Sequence, residues 1–178
     1  RVRVSKSVCT RPPLFDEDMR RIEFDPYWNI PPSIARGETV PKLRANPGYL
    51  AAQGMEFVGP GGQTSSAVTP EMLDAVQAGQ WRVRQRPGRL NALGDIKFVL
   101  PNSQNIYLHH TPSVSLFSRE RRDFSHGCIR VEEPVALAQW VLAGDAAWTE
   151  ARIRQTMGQP RPVTVALPTP VPVLIVYR

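Results

Sequence analysis

Eighteen prolines are scattered through a chain of 178 residues, and they constrain its architecture more than any other feature. A proline fixes φ, lacks an N–H, and disrupts a helix interior or a central strand. Uninterrupted elements must therefore be short, and with 12 glycines also present the turns must be many. Apolar residues make up 42% of the chain and are mixed in among the prolines, so the composition is that of a packed domain rather than a disordered tract. A chain of this length buries a core without disulfide staples, so its two cysteines are not needed to hold the fold. No run approaches 18 apolar residues and no basic segment leads into an apolar one at the start, so neither a membrane span nor a leader is expected. The start at Arg1 reads as that of a mature or excised fragment.

The texture changes along the chain. Val2 to Val8 and Arg21 to Phe24 have strand character, separated by the turn Arg11-Pro12-Pro13. Residues 25–79 are broken by Pro26, Pro31, Pro32, Pro41, Pro47 and Pro60 and read as an irregular insertion. Within it, Thr69-Pro70-Glu71 marks a helix start, with a capping threonine and proline at the first helical position. Beyond it, Trp81 to Gln85 reads as an edge or surface strand with its arginines in solvent, and Ile96 to Leu100 with Ile106 to His109 reads as a hairpin. Ile129 to Val131 predicts a short strand, Pro134 to Leu142 and Thr149 to Met157 predict helices, and Val171 to Tyr177 a buried closing strand. The fold class is mainly β with a few helices, α+β.

The net charge of +6 comes from 19 arginines and three lysines against 16 acidic residues. Arginine's planar fork suits carboxylates and phosphates, which makes nucleic acid the first partner to consider. The clusters Arg82, Arg84, Arg86, Arg89 and Arg119, Arg121, Arg122 lack the interleaved aromatics of a stacking platform, so they read as solvated basic faces.

All three histidines and one of the two cysteines fall between His109 and Cys128. Thiolate chemistry needs an accessible Cys, a His to take its proton, and backbone donors for an oxyanion. Ser125-His126-Gly127-Cys128 supplies the thiol, and Gly127 lets the backbone approach a carbonyl so that the amides of Gly127 and Cys128 can converge on one oxygen. His109 and His110 end a strand and point to opposite faces, so one of them faces the cysteine; parity alone does not choose which. A zinc site is the rival use of these side chains. No CxxC or HExxH spacing supports it, and His126 and Cys128 lie too close on one turn to chelate together, so no metal or cofactor is expected. Cys9 reads as an ordinary packed thiol.

Ile106-Tyr107-Leu108-His109, then 15 residues, then Ser125-His126-Gly127-Cys128 resembles the signature of the L,D-transpeptidase (YkuD-type) catalytic domain, the β-rich cysteine enzyme of bacterial wall cross-linking. Pro26-Tyr27-Trp28-Asn29-Ile30-Pro31-Pro32, Pro41-Lys42, Arg44 to Leu50, Arg86-Pro87-Gly88 with Asn91, Leu93-Gly94 and Thr111-Pro112 extend the likeness to the large Gram-negative subclass with a capping subdomain. The resemblance implies a β-sandwich catalytic domain at 1–24 and 80–178, expected to be cut at both ends, and a cap at 25–79. It makes Cys128 the nucleophile and His109 the general base, in preference to His110. His126 would position the thiolate and oxyanion, and Gly127 would offer its backbone N–H. Arg130, Tyr107, Ser125 and Trp28 are the expected substrate contacts, with Tyr107 and Trp28 open equally to plain packing. Arg130 stands where the family's commonest motif has Asn.

The implied activity is acyl transfer between peptidoglycan stem peptides: a tetrapeptide donor loses D-alanine, an amine acceptor resolves the acyl-enzyme, and a cross-link of the 3→3 type forms at Cys128. The histidine is expected to be neutral and poised near its ordinary range. Location in the Gram-negative periplasm and covalent inhibition by carbapenems are implied with it. Hydrolysis of the same acyl-enzyme, by a carboxypeptidase or endopeptidase, is the alternative outcome. A non-catalytic wall-binding module is the third reading, and the intact Cys and His oppose it.

Overall fold

The computed structural model describes residues 2–3, 15–103, 106–112, 117 and 129–175. The strands are β1 (Val2–Arg3), β2 (Phe15–Phe24), β3 (Trp28–Asn29), β4 (Met55–Val58), β5 (Thr64–Ser65), β6 (Arg82–Gln85), β7 (Ile96–Val99), β8 (Tyr107–His109), β9 (Ile129–Val131) and β10 (Val163–Ile175). The α-helices are α1 (Pro32–Ile34), α2 (Val40–Ala45), α3 (Tyr49–Ala52), α4 (Pro70–Gln77), α5 (Pro134–Val141) and α6 (Glu150–Thr156), with a π-helical turn at Ala35–Thr39. Mixed sheets with few helices make this an α+β fold.

The chain divides into two compact units, Tyr27–Ala92 and the residues before and after it. In the discontinuous unit, six strands form one sheet in the order β1-β9-β8-β7-β2-β10, antiparallel throughout except for the parallel pair β8–β9. Alternation sorts its side chains. Phe24 with Ile96, and Ile22 with Phe98 and Leu108, are paired across neighbouring strands and pack with Ala138 and Val141 of α5, Leu142, and Ile153 of α6. Ile22, Phe24, Ile96 and Phe98 are all fully buried, and each such side chain contributes about 2–3 kcal/mol by leaving water. The turn after β2 is held by Asp25, at φ 46°, whose carboxylate accepts from the N–H groups of Gly158 and Gln159 at 2.9 Å. Burial raises its pKa despite those two bonds.

Two strand expectations need correction. The closing strand is only half-buried: among the described residues β10 lies at the edge of its sheet with Leu174 exposed while Val171, Val173 and Ile175 pack against the core, and its register slips between Ala166 and Val171 where Pro168 and Pro170 interrupt the ladder. The Arg82–Gln85 segment is not an edge. In the 27–92 unit the sheet order is β3-β6-β4-β5, so β6 has partners on both sides. Val83 and Gln85 are buried, while Arg84 lies 2.7 Å from Glu56 and 4.0 Å from the centre of the Tyr27 ring. β6 pairs with β3 and β4 and so falls within the Tyr27–Ala92 unit.

The core of the 27–92 unit is formed by Ile30, Leu43, Leu50, Phe57, Leu73, Val76 and Val83, with Trp28 packed against it. Thr69 caps α4 as its sequence predicts, its hydroxyl accepting from the Met72 N–H at 3.2 Å. The Gln85 side chain donates to the carbonyls of Gln53 (2.8 Å) and Leu90 (2.5 Å) and accepts from the Ala92 N–H (2.8 Å). No helix among the described residues is long and apolar enough to cross a membrane.

Candidate active site

The short hairpin β7–β8 carries the site. Asn102 closes it: its amide donates to the carbonyls of Leu100 and Ile106, both at 2.7 Å, and its oxygen accepts from the Ile106 N–H at 3.0 Å. A side chain thus does the work of a turn, and the register Val99–Tyr107 and Lys97–His109 follows. On its other edge β8 pairs in parallel with β9, setting Leu108 beside Ile129 and His109 beside Arg130. Register partners share a face, as do residues two apart. Lys97, Tyr107, His109 and Arg130 therefore lie on the face opposite the Phe98 core.

On that face His109 is 3% exposed. The Tyr107 ring stands edge-on to the imidazole, 5.9 Å between centres. The Lys97 ammonium sits 4.7 Å from the Tyr107 ring and 3.3 Å from Glu23. Nδ1 of His109 is hydrogen-bonded to the carbonyl oxygen of His110. A carbonyl can only accept, so Nδ1 carries the hydrogen and the neutral ring keeps its lone pair on Nε2.

Burial dominates the acidity of this ring and lowers its pKa to about 4. The positive charge of Arg130 and the neighbouring His110 act in the same direction, while the backbone carbonyls of His110 and Leu93 oppose them. The imidazole is therefore uncharged at neutral pH. The expectation of a histidine poised near its ordinary range is overturned, because the sequence does not reveal how deeply the His109 side chain is buried.

The two adjacent histidines are also separated. His110 donates its N–H to the Ile96 carbonyl at 2.8 Å, and its ring reaches the Gly94–Asp95 corner. There Nδ1 is 3.3 Å from the Asp95 N–H and 3.4 Å from the Asp95 carboxylate. Asp95 carried no sequence signal; Gly94 did, through the Leu93-Gly94 pair.

The structure thus brings together Tyr107, His109 and Arg130. Trp28 lies in the other unit, half-buried against that unit's own core. Ser125, His126, Gly127 and Cys128 lie outside the described residues, as do Cys9 and the arginines of 119–122. Among the described residues no three His, Cys, Asp or Glu side chains gather as a metal-holding group.

Residues 4–165 match the L,D-transpeptidase catalytic domain family, YkuD. A Haemophilus influenzae protein named "Putative L,D-transpeptidase" is 30% identical over 167 residues, which cover 94% of this chain and 34% of that protein. The chain thus spans about a third of the length of the curated relative it matches. With nearly its whole length inside the matched region, the chain belongs to the YkuD family of L,D-transpeptidase catalytic domains.

Proposed function

We propose that this protein is a peptidoglycan L,D-transpeptidase acting through a cysteine acyl-enzyme. The observation that carries the reading is the state of His109: buried, neutral, and held through Nδ1 so that Nε2 is the basic atom. Its strand is paired in parallel with Ile129–Val131, and Cys128 directly precedes Ile129 in the sequence. A pairing of Leu108 with Ile129 supports bringing thiol and imidazole to one neighbourhood.

In the first half-reaction, Nε2 of His109 takes the Cys128 proton as sulfur attacks the carbonyl of the third stem residue. The C–N bond to the terminal D-alanine breaks, and the leaving nitrogen takes that proton from the imidazolium. In the second, an amine on another stem gives a proton to Nε2 as its nitrogen attacks the thioester, and the sulfur departs with it. The product is a 3→3 cross-link. Because burial disfavours the cation, the proton transfers to Nε2 as the attack develops.

The amides of Gly127 and Cys128 serve the oxyanion, and His126 and Ser125 flank it. Arg130, on the face of His109, suits a substrate carboxylate. Tyr107 and Trp28 offer aromatic contact to the stem. The 27–92 unit acts as the cap, the setting is the periplasm, and a carbapenem acylates Cys128.

Mass spectrometry of the protein incubated with disaccharide-tetrapeptides tests this. The native chain yields cross-linked dimers with loss of D-alanine, and Cys128→Ala yields neither dimer nor acyl adduct. Tripeptide without dimer assigns the chain to hydrolysis instead, and an acyl adduct on Cys128→Ala removes the cysteine from the mechanism.

A further inference from the structure

We infer that Lys97 is a specificity-determining residue for the donor: its ammonium receives the carboxylate of the residue that leaves, on the flank of His109 opposite Arg130. The inference rests on the proposed acyl transfer with His109 as base. Four strands each place one residue in a single row across the face opposite the Phe98 core: Glu23 pairs with Lys97, Lys97 with His109, and His109 with Arg130. Neighbouring strands lie about 4.8 Å apart, so the base has a cation beside it on each flank, Lys97 from β7 and Arg130 from β9. The Lys97 ammonium donates to Glu23 at 3.3 Å and lies 4.7 Å from the centre of the Tyr107 ring, the same ring that stands edge-on to His109. Glu23 is shared, because its other oxygen is 3.6 Å from Nε of Arg21. Two cations thus meet one carboxylate, and the trio keeps a net positive charge. With Lys97 20% and Glu23 23% exposed, the pair is partly shielded from water yet within reach of a solute.

Which carboxylate arrives there follows from the reaction. The leaving nitrogen must come to Nε2 of His109 to take its proton, and in a terminal D-alanine the carboxyl carbon is two bonds from that nitrogen, within about 3 Å. No other charge of the donor is tied so closely to the imidazole. The acyl half is retained through the thioester to Cys128, which directly precedes β9 in the sequence. The leaving residue therefore falls on the β7 flank, beside Lys97, and the acyl half on the flank of Arg130. A lysine ammonium has three donors to offer, and a carboxylate placed beside Glu23 is met by the surplus charge of the trio. Such a cation favours a donor that ends in a free carboxylate over one whose terminus is amidated, and so directs cleavage to the last residue of a stem.

Titration calorimetry on the Cys128→Ala chain, which does not turn its ligand over, compares a disaccharide-tetrapeptide with the same molecule carrying a C-terminal amide. The free acid is expected to bind about tenfold more tightly, the gain of one charge-assisted contact. Adding Lys97→Met, which keeps an apolar stem against the Tyr107 ring, weakens binding of the acid about tenfold and that of the amide by less than about twofold, so that the two ligands become equal. Lys97→Arg keeps the preference. Equal affinities in the chain that carries Lys97 overturn the inference, and this arm needs no lysine variant to fold. A preference for the acid that survives Lys97→Met overturns it as well. The underlying reading fails differently: if the native chain, with Cys128 and His109 intact, forms no thioester and releases no D-alanine from the tetrapeptide, acyl transfer is removed whatever the binding preference.

Discussion

Gln85 and His109 are both polar side chains buried on strands, 2% and 3% exposed, one in each unit. Gln85 spends its amide on two carbonyls and its oxygen on a backbone N–H, so its hydrogen bonds all close on the chain's own backbone. His109 commits Nδ1 to the next residue's carbonyl and, as a neutral ring, carries a lone pair on Nε2. Burial is equal and consequence is opposite: a saturated buried group stabilises a fold, and one with a directed lone pair can do chemistry.

Substituting each residue separates these roles. His109→Gln is expected to lower the acylation rate by about a thousandfold, in the range that general-base loss produces, while the thermal midpoint stays within a few degrees. Carbapenem adduct formation followed by mass spectrometry reads the first, and circular dichroism the second. A rate within tenfold of native would place the base elsewhere. Gln85→Ala has the reverse pattern. It leaves the carbonyls of Gln53 and Leu90 and the Ala92 N–H without this partner, and should destabilise the protein by about 3 kcal/mol, with acylation per folded molecule unchanged. Urea unfolding measures it.

The same pair of residues shows what could be read from the sequence. The fold class, the Thr69 cap and the β7–β8 hairpin were legible because turn chemistry and alternation are local. His109 was named from its Ile-Tyr-Leu context. Its neutrality was not legible, because the burial that causes it arises only once the strands are packed. Gln85 misled for a related reason: alternating Arg82, Val83, Arg84 and Gln85 describes a strand with one wet side, and says nothing of whether neighbours occupy both edges. Asp95 was invisible because its contact is with His110, 15 residues later.

Acid sharpens the contrast next. The folded-state pKa of His109, about 4, lies below the ordinary value of 6.5, so between these limits the unfolded chain binds a proton that the native chain does not. Stability should therefore rise with pH through this window and fall as pH drops from about 6.5 to 4, by up to roughly 3 kcal/mol from this group. Asp25 has the opposite sign: its raised pKa favours the native state as it protonates, so it opposes the loss at the acid end. Urea midpoints at a series of pH values should show the decline in native protein and a shallower one in His109→Gln. Equal slopes would mean that the ring is better solvated than its surroundings imply.

The smallest effects compare the two units through a shared device. Thr69 caps α4 by accepting from Met72 at 3.2 Å, and Thr149 caps α6 by accepting from Arg152 at 3.3 Å. Each satisfies one of the orphan N–H groups of a first turn, so alanine at either should cost about 1 kcal/mol. The readouts differ by unit. Thr69→Ala should speed amide exchange in α4 around Leu73 and Val76, whereas Thr149→Ala should do so in α6 around Ile153, which belongs to the core behind the His109 sheet. If stability is local to each unit, only Thr149→Ala alters exchange at Leu108 and His109. Faster exchange at β8 on Thr69→Ala would show that the two units open as one, and the contrast between Gln85 and His109 would then hold for side-chain chemistry but not for cooperativity.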